Sequence, residues 1–364
     1  LDRVPLQLYR WERENWWTVG WLPYRIRNAV DRLAPDLVHL HGVGRGAAPI
    51  ESLAQLAAYP LVWTLRDLWV LTGGCHYTAG CERYLAGCGA CPQLGSRSSA
   101  DLSRWQWTRK QRAWSDIRIA YVGLSQWIAD CARRSPLTFG NDVSVIPNGI
   151  DTDRFATADR AAGRQAWDLP RGKQIVLFGA LHCTTDPRKG FAHFREAIGR
   201  LAAGHRLRDA VAVVFGNDGE GPDLGIETRY LGTIRSDDDL ARLYGAADVM
   251  VVPSTEEGFG KTAAEAMACG TPVVGFDNTG LPDIVDHGQN GYLADRLTGE
   301  ALARGIDWTL EALARDPSIR HRARAKILRA FGAATVAGRY AELYRRRIAL
   351  HDSDPQRRAA AISA

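Results

Sequence analysis

The feature that most constrains this chain is an alternation. Short unbroken runs rich in Val, Ile and Leu recur along it, separated by amphipathic stretches. A run that is apolar at every position, not every second one, is a strand covered on both faces, as in parallel sheets flanked by helices. The runs are Leu37–His41, Leu61–Leu65, Arg118–Val122 and Val143–Ile146, then Ile175–Gly179, Val211–Phe215, Arg229–Leu231, Val249–Pro253 and Pro272–Phe276. Helical patterns lie between them at Leu22–Leu33, Leu102–Trp114, Gln126–Arg133, Phe191–Ala202, Asp237–Tyr244 and Thr262–Ala268. The repeating unit is βαβ, so the expected fold class is α/β, with two Rossmann-like doubly wound domains facing a cleft.

A chain of 364 residues exceeds one small core. The turn dipeptide Asn148-Gly149 and the polar stretch Asp151–Arg171 divide it. We expect an N-terminal domain over residues 1–150, a linker with a short helix over 151–172, and a C-terminal domain over 173–330. A C-terminal helix over 331–350 should pack back on the fold, within an Arg-rich helical stretch from Ile319 to Leu350, before a disordered tail over 351–364. The first domain shows only four strands and the chain begins at Leu1, so an N-terminal truncation that removes the opening strand is expected.

The net charge of +5 is mild, which suits anionic small ligands or an anionic membrane surface and argues against a nucleic-acid partner. No stretch reaches the ~20 apolar residues of a membrane span. Seven cysteines, an odd number, argue for a reducing cytoplasm over a disulfide framework.

The richest chemistry lies at Pro253–Lys261, followed by the Thr262–Ala268 helix. A strand ends, a loop with Gly258 and Gly260 follows, and a helix starts. Its free N–H groups form an anion site that glycines let a ligand approach. Glu257 precedes the turn and Glu265 lies eight positions on. Carboxylates repel phosphate but accept hydrogen bonds from hydroxyls. A diphosphate with a polyhydroxylated group on either side satisfies both demands, and that ligand is a nucleotide sugar.

The segment Glu257-Gly258-Phe259-Gly260 through Glu265 to Cys269-Gly270-Thr271-Pro272-Val273-Val274 resembles the paired-glutamate signature of the family-four retaining glycosyltransferases, which have the GT-B fold. The resemblance implies Glu257 at the donor sugar hydroxyls, the backbone of Gly258, Phe259, Gly260, Lys261 and Thr262 at the diphosphate, and Glu265 on the ribose. Val145–Phe155 looks like the family's interdomain signature, and Asp186-Pro187-Arg188-Lys189-Gly190 like its Lys-Gly motif, whose lysine binds the diphosphate. Gly179 and Gly216 then fall beside the donor. Where the family often has an Arg after the first of these glycines, this chain has Ala180, and Arg188 is the substitute cation.

In the first domain, Trp63–Trp69, Thr72–Tyr77 and Cys88–Pro92 resemble an exopolysaccharide subgroup of the colanic-acid type. Arg66 stands where many members carry a His, leaving Asp67 as the candidate contact for the acceptor hydroxyl and His41, at a strand end, as a second candidate. His39 reads as a satisfied core residue. Cys75, Cys81, Cys88 and Cys91 could hold a structural Zn, or remain reduced and packed. Helix Leu102–Trp114 interleaves Trp105, Trp107 and Trp114 with Arg104, Arg109, Lys110 and Arg112, which reads either as a bilayer-facing surface or as a packed helix with a charged face.

These readings converge on a retaining glycosyltransferase. It would use a UDP-sugar or GDP-sugar donor and a saccharide or lipid-linked saccharide acceptor in cell-surface polysaccharide biosynthesis. No Asp-x-Asp metal motif stands in a suitable loop, so no catalytic metal or cofactor is expected. The expected place is the cytoplasm or the inner face of the plasma membrane. Rival readings are a sugar-nucleotide epimerase on the same architecture and a non-catalytic nucleotide-sugar-binding protein.

Overall fold

The computed structural model describes residues 2–10, 16–20, 26–43, 49–157, 159–219 and 221–353. The chain divides into two compact units, one of residues 1–146 with 338–364 and one of residues 147–337.

In the first unit the order is α1 (Arg27–Leu33), β1 (Val38–Leu40), α2 (Ile50–Ala54), β2 (Leu61–Leu65), α3 (Leu102–Trp114), β3 (Ile119–Gly123), α4 (Gln126–Arg134) and β4 (Val143–Val145). The four strands form one parallel sheet in the order β1-β2-β3-β4. Every residue of β2 and β3 is buried, as their uninterrupted apolar runs require. The expected helix start at Leu22 lies outside the described residues. Asp101 caps α3 by accepting from the N–H groups of Ser103 and Arg104. Trp114 of α3 then packs edge-on against Trp63, with ring centroids 5.2 Å apart.

The second unit runs α5 (Arg160–Ala166), β5 (Gln174–Gly179), α6 (Phe191–Ala203), β6 (Ala210–Phe215), β7 (Thr228–Tyr230), α7 (Asp237–Ala246), β8 (Val249–Val252), α8 (Lys261–Ala268), β9 (Val273–Phe276), β10 (Gly291–Ala294), α9 (Gly299–Arg315) and α10 (Ile319–Phe331). Its six parallel strands lie in the order β10-β9-β8-β5-β6-β7. Winding therefore proceeds outward from β5 on one side and from β8 on the other. Such a switch leaves a crevice at the carboxyl ends of the two central strands. Phe178 and Phe194 stack at 4.7 Å beneath it. Asp248, at the foot of β8, holds the guanidinium groups of Arg160, Arg164 and Arg320 at 2.5, 2.7 and 3.2 Å, which ties α5 and α10 to the sheet.

The Arg-rich stretch expected as one helix is two. Helix α10 ends at Phe331, Gly332 is extended, and α11 (Ala333–Ser353) begins. The last part of α11 belongs to the first unit. There Tyr344 bonds His39 Nδ1 at 2.6 Å, and Tyr340 bonds Thr64 at 2.9 Å. Of the expected tail over 351–364, residues 351–353 finish α11 and 354–364 lie outside the described residues.

Candidate functional site

In the second unit the loops that follow β5 and β8 meet at the switch point. They are sewn together by the Thr255 N–H, which donates to the Arg188 carbonyl at 2.9 Å. Gly190 sits at φ 73°, and a Cβ there would lie 1.9 Å from the Pro253 carbonyl oxygen, so only glycine lets the loops close. The loop after β9 adds a third strap: the Gly280 N–H donates to the Glu257 carbonyl at 2.9 Å and the Thr279 hydroxyl accepts from the Glu257 N–H at 3.1 Å.

This bracing leads to the start of α8. Gly260 caps the helix in a left-handed conformation at φ 95°, with no side-chain cap. The first N–H groups of a helix have no partner within it. Beside them, the Lys189 ammonium donates to Glu257 Oε2 at 2.7 Å, and the Ser254 hydroxyl approaches the same oxygen at 3.4 Å. Phe259 is buried against Phe331, and Thr262 is half-buried in the first turn. Arg188 is engaged by Asp186 at 2.5 Å.

Glu265 is 2% exposed. The Tyr244 hydroxyl donates to its Oε2 at 3.3 Å. The Lys261 ammonium pairs with Oε1 at 2.9 Å. Burial raises the carboxyl pKa, and Lys261 opposes the rise. Gly179 ends β5 against the Phe215 ring, and Gly216 at φ 102° lies where a Cβ would meet the Ala180 carbonyl at 1.9 Å. The expected donor residues thus gather around the ends of β5 and β8.

The first unit holds a cavity of about 340 Å3, lined among others by Trp16, Trp63, Arg66, Asp67, Trp69 and His76. Asp67 was the expected acceptor contact, but both its oxygens are engaged. Oδ1 accepts from the Trp69 N–H at 2.8 Å, and Oδ2 pairs with His76 Nδ1 at 2.7 Å. His76 Nε2 in turn bonds the Thr18 hydroxyl at 2.8 Å. His76 was not singled out from the sequence, since its partner stands nine positions away with no periodic relation and only the fold joins them. His41 is exposed and its Nδ1 lies 3.2 Å from Arg66, so in that pair it accepts. Burial and the Arg66 charge lower its pKa. Both ring nitrogens of His39 are hydrogen-bonded.

For the two features of this unit that were left open, the structure fits the packed alternatives. Trp107, Lys110 and Trp114 are buried, so the groups on α3 do not form one solvent-facing surface. Trp105 is exposed, with the Arg109 guanidinium 4.4 Å above its ring. The four clustered cysteines are free thiols. Among the described residues no three His, Cys, Asp or Glu side chains converge to hold a metal, so the structure contains no preassembled zinc site. No helix among the described residues is long and apolar enough to cross a membrane.

A six-stranded Rossmann-type unit with an anion-ready helix start, joined in one chain to a second parallel α/β unit, defines the GT-B class. Comparison with known proteins agrees. Residues 1–154 match the family described as Glycosyltransferase Family 4, and residues 172–312 match Glycosyl transferases group 1. Each of these two segments is thus similar to a glycosyltransferase family over less than half of the chain. A D-inositol 3-phosphate glycosyltransferase of Mycobacterium sp. (strain KMS) is 37% identical over 196 residues, which are 50% of this chain and 42% of that one. A phosphatidyl-myo-inositol mannosyltransferase of Mycobacterium tuberculosis (strain CDC 1551 / Oshkosh) is 34% identical over 196 residues, 50% of this chain and 49% of that one. The chain thus spans under half the length of these curated relatives. Among solved structures, sucrose-phosphate synthase from Thermosynechococcus elongatus superposes with a TM-score of 0.68 at 22% identity, covering 89% of this chain and 77% of that one. Anabaena HepE in complex with UDP-glucose superposes at 0.61 and 20% identity, covering 87% and 81%.

Proposed function

We propose that this chain is a retaining, metal-independent glycosyltransferase, with the nucleotide sugar on the second unit and the acceptor in the cavity of the first. The observation that carries the reading is Glu265. Only a long bond from the Tyr244 hydroxyl and a pair with the largely exposed Lys261 offset the burial of this carboxylate, and ribose hydroxyls are donors that suit it. The start of α8 and Lys189 receive the diphosphate, and Glu257, released from Lys189, accepts from donor sugar hydroxyls. The acceptor hydroxyl attacks the anomeric carbon while its bond to the diphosphate breaks, and the departing phosphate oxygen takes the acceptor proton. Lys189 and the helix start stabilise the negative charge that develops on that oxygen. Groups of this kind, fixed in place beforehand, are each worth about 3–4 kcal/mol.

The acceptor proposed is a saccharide or lipid-linked saccharide of cell-surface polysaccharide synthesis. The wall of Asp67, His76 and Arg66 beside indole rings suits a polyhydroxylated, partly anionic group. Two relatives named for inositol phosphate and phosphatidyl-inositol acceptors put those molecules in the panel to be tested. The exposed Trp105 on the basic helix α3 supports peripheral docking on an anionic bilayer, which vesicle co-sedimentation measures.

The test is a thermal-shift screen with UDP, GDP, ADP and their sugar conjugates, followed by product analysis with the stabilising donor. A ligand that binds only the folded state raises the melting temperature. One nucleotide should stabilise the protein, less so in E265A and K189A, and an acceptor should gain a sugar with its anomeric configuration retained. Donor epimerised without transfer would mean an epimerase. Binding without any turnover would mean a carrier.

A further inference from the structure

Two pairs of a carboxylate and a lysine flank the start of α8. On the loop before the helix, the Lys189 ammonium donates to Glu257 Oε2 at 2.7 Å. One turn into the helix, the Lys261 ammonium stands 2.9 Å from Glu265 Oε1. The transfer proposed above uses Lys189 but gives the Lys261 side chain no task.

Helix stability does not account for Lys261. It is the first residue of α8. The N–H groups there already carry partial positive charge, so a cation is unfavourable. Its partner lies four positions toward the carboxyl end, and lysine before glutamate is the poorer order for such a pair. The settings of the two side chains differ as well: that of Lys261 is 65% exposed and that of Glu265 is 3% exposed. An ammonium in water gains little from one surface ion pair, whereas a buried carboxylate needs a counter-charge. The Tyr244 hydroxyl bonds Oε2 at 3.3 Å, which leaves Oε1 to Lys261.

Once ribose hydroxyls donate to Oε1, that oxygen no longer needs the ammonium. A lysine carries donors and no acceptor, so the freed Lys261 needs an acceptor of its own. The phosphate beside the ribose is the anion that arrives with it. Lys261 and the free N–H groups of the first turn belong to the same end of one helix.

We propose that Lys261 is a second phosphate-binding cation of this site, held by Glu265 while the site is empty and handed to the phosphate next to the ribose when the ribose takes Glu265. The inference rests on the donor-site assignment above. The empty site is then neutralised at both ends, with Glu257 holding Lys189 and Glu265 holding Lys261. Phosphate without hydroxyls draws the lysine away and leaves a buried carboxylate uncompensated. Hydroxyls without phosphate displace an ammonium and give it nothing. Only a hydroxylated ring and a phosphate in one molecule satisfy both groups. The pair therefore selects a ribose phosphate over free diphosphate and over a bare nucleoside.

The test is binding to the full chain of UDP, GDP and ADP by calorimetry, with the matching nucleosides and inorganic diphosphate measured by competition. K261M should bind the preferred nucleoside diphosphate about tenfold more weakly, the loss of one charge-assisted hydrogen bond. It should bind the corresponding nucleoside more tightly, because Glu265 no longer has an ammonium to give up. A misfolded site would weaken both, so the opposite signs separate phosphate binding from a structural role. E265Q, which no longer holds the lysine by charge, should bind inorganic diphosphate more tightly than the unaltered protein. Three results overturn the inference and leave the donor site standing: nucleoside diphosphate affinity unchanged in K261M, nucleoside and nucleoside diphosphate weakened together, or inorganic diphosphate bound no better by E265Q. Failure of the unaltered protein to bind any of the three nucleoside diphosphates would overturn the donor-site assignment itself, and this inference with it.

Discussion

The two units meet their proposed ligands by different means. In the second, recognition of the diphosphate is built largely from main chain, glycine-closed loops and a bare helix start, with the side-chain pair of Lys189 and Glu257 beside it. In the first, it is built from side chains: Asp67, His76 and Thr18 in one hydrogen-bonded row beneath a cavity walled by indoles. Main-chain donors cannot be exchanged by substitution, and a diphosphate is the same in every nucleotide sugar. Side chains can be exchanged singly, which suits a site whose substrate varies between relatives.

The largest effect that would sharpen this contrast is on K189A. Removing a charge from the departing diphosphate should lower kcat about 10²–10³-fold, measured by transfer at saturating donor. A change confined to KM would break the assignment. G190A comes next, because its added methyl overlaps the Pro253 carbonyl. Overpacking of this kind should cost about 1–3 kcal/mol, read from urea midpoints, and an unmoved midpoint would show that the loops do not need the glycine. In the first unit, D67N leaves His76 without its anionic partner. Acceptor KM should rise roughly tenfold, the loss of one charge-assisted hydrogen bond, while donor affinity holds, and an equal loss of donor affinity would erase the division between units. E257Q makes a smaller and less obvious change. With its ion pair gone, Lys189 is free for phosphate, so bare nucleoside diphosphate should bind more tightly and the sugar conjugate more weakly, by calorimetry.

The smallest effect concerns His39. Burial, then the charges of His41 and Arg66, hold its pKa at about 4, below the ordinary 6.5. Between those values the unfolded chain takes up a proton that the folded chain refuses, so stability is full above the upper value and declines as pH falls toward the lower one. H39Q should flatten that slope in thermal melts, and an unaltered slope would assign it to other groups.

Much of the architecture could be read from periodicity alone. The first nine strands of the sheets fall within a residue or two of the expected runs; β2, β3, β5, β6, β8 and β9 are buried almost throughout and stand out for that reason, whereas β1, β4 and β7 are only partly buried. Helix α3 has its expected ends since Asp101 caps it. Other elements escaped. Helix α9 repeats Leu302, Ile306, Leu310 and Leu313 at helical spacing after its Thr298 cap, a pattern that was present but passed over. The break at Gly332 was hidden because the basic, amphipathic pattern continues across it. Around the site, Glu257, Lys189 and Glu265 belonged to local motifs and were visible. His76 and Tyr244 became partners of carboxylates only through packing, which no spacing announces.

The course of α11 has a further consequence. Residues 338–353 close the first unit, where Tyr340 and Tyr344 satisfy Thr64 and His39 of the opening sheet. Ribosomes deliver a chain from its amino end, and units generally fold in the order they emerge. Here that order is inverted: residues 147–337 are all made before the first unit receives its last segment. The half synthesised first is thus the half completed last, and a nascent chain stalled before residue 338 would hold a finished second unit beside a sheet whose His39 and Thr64 still lack their tyrosines.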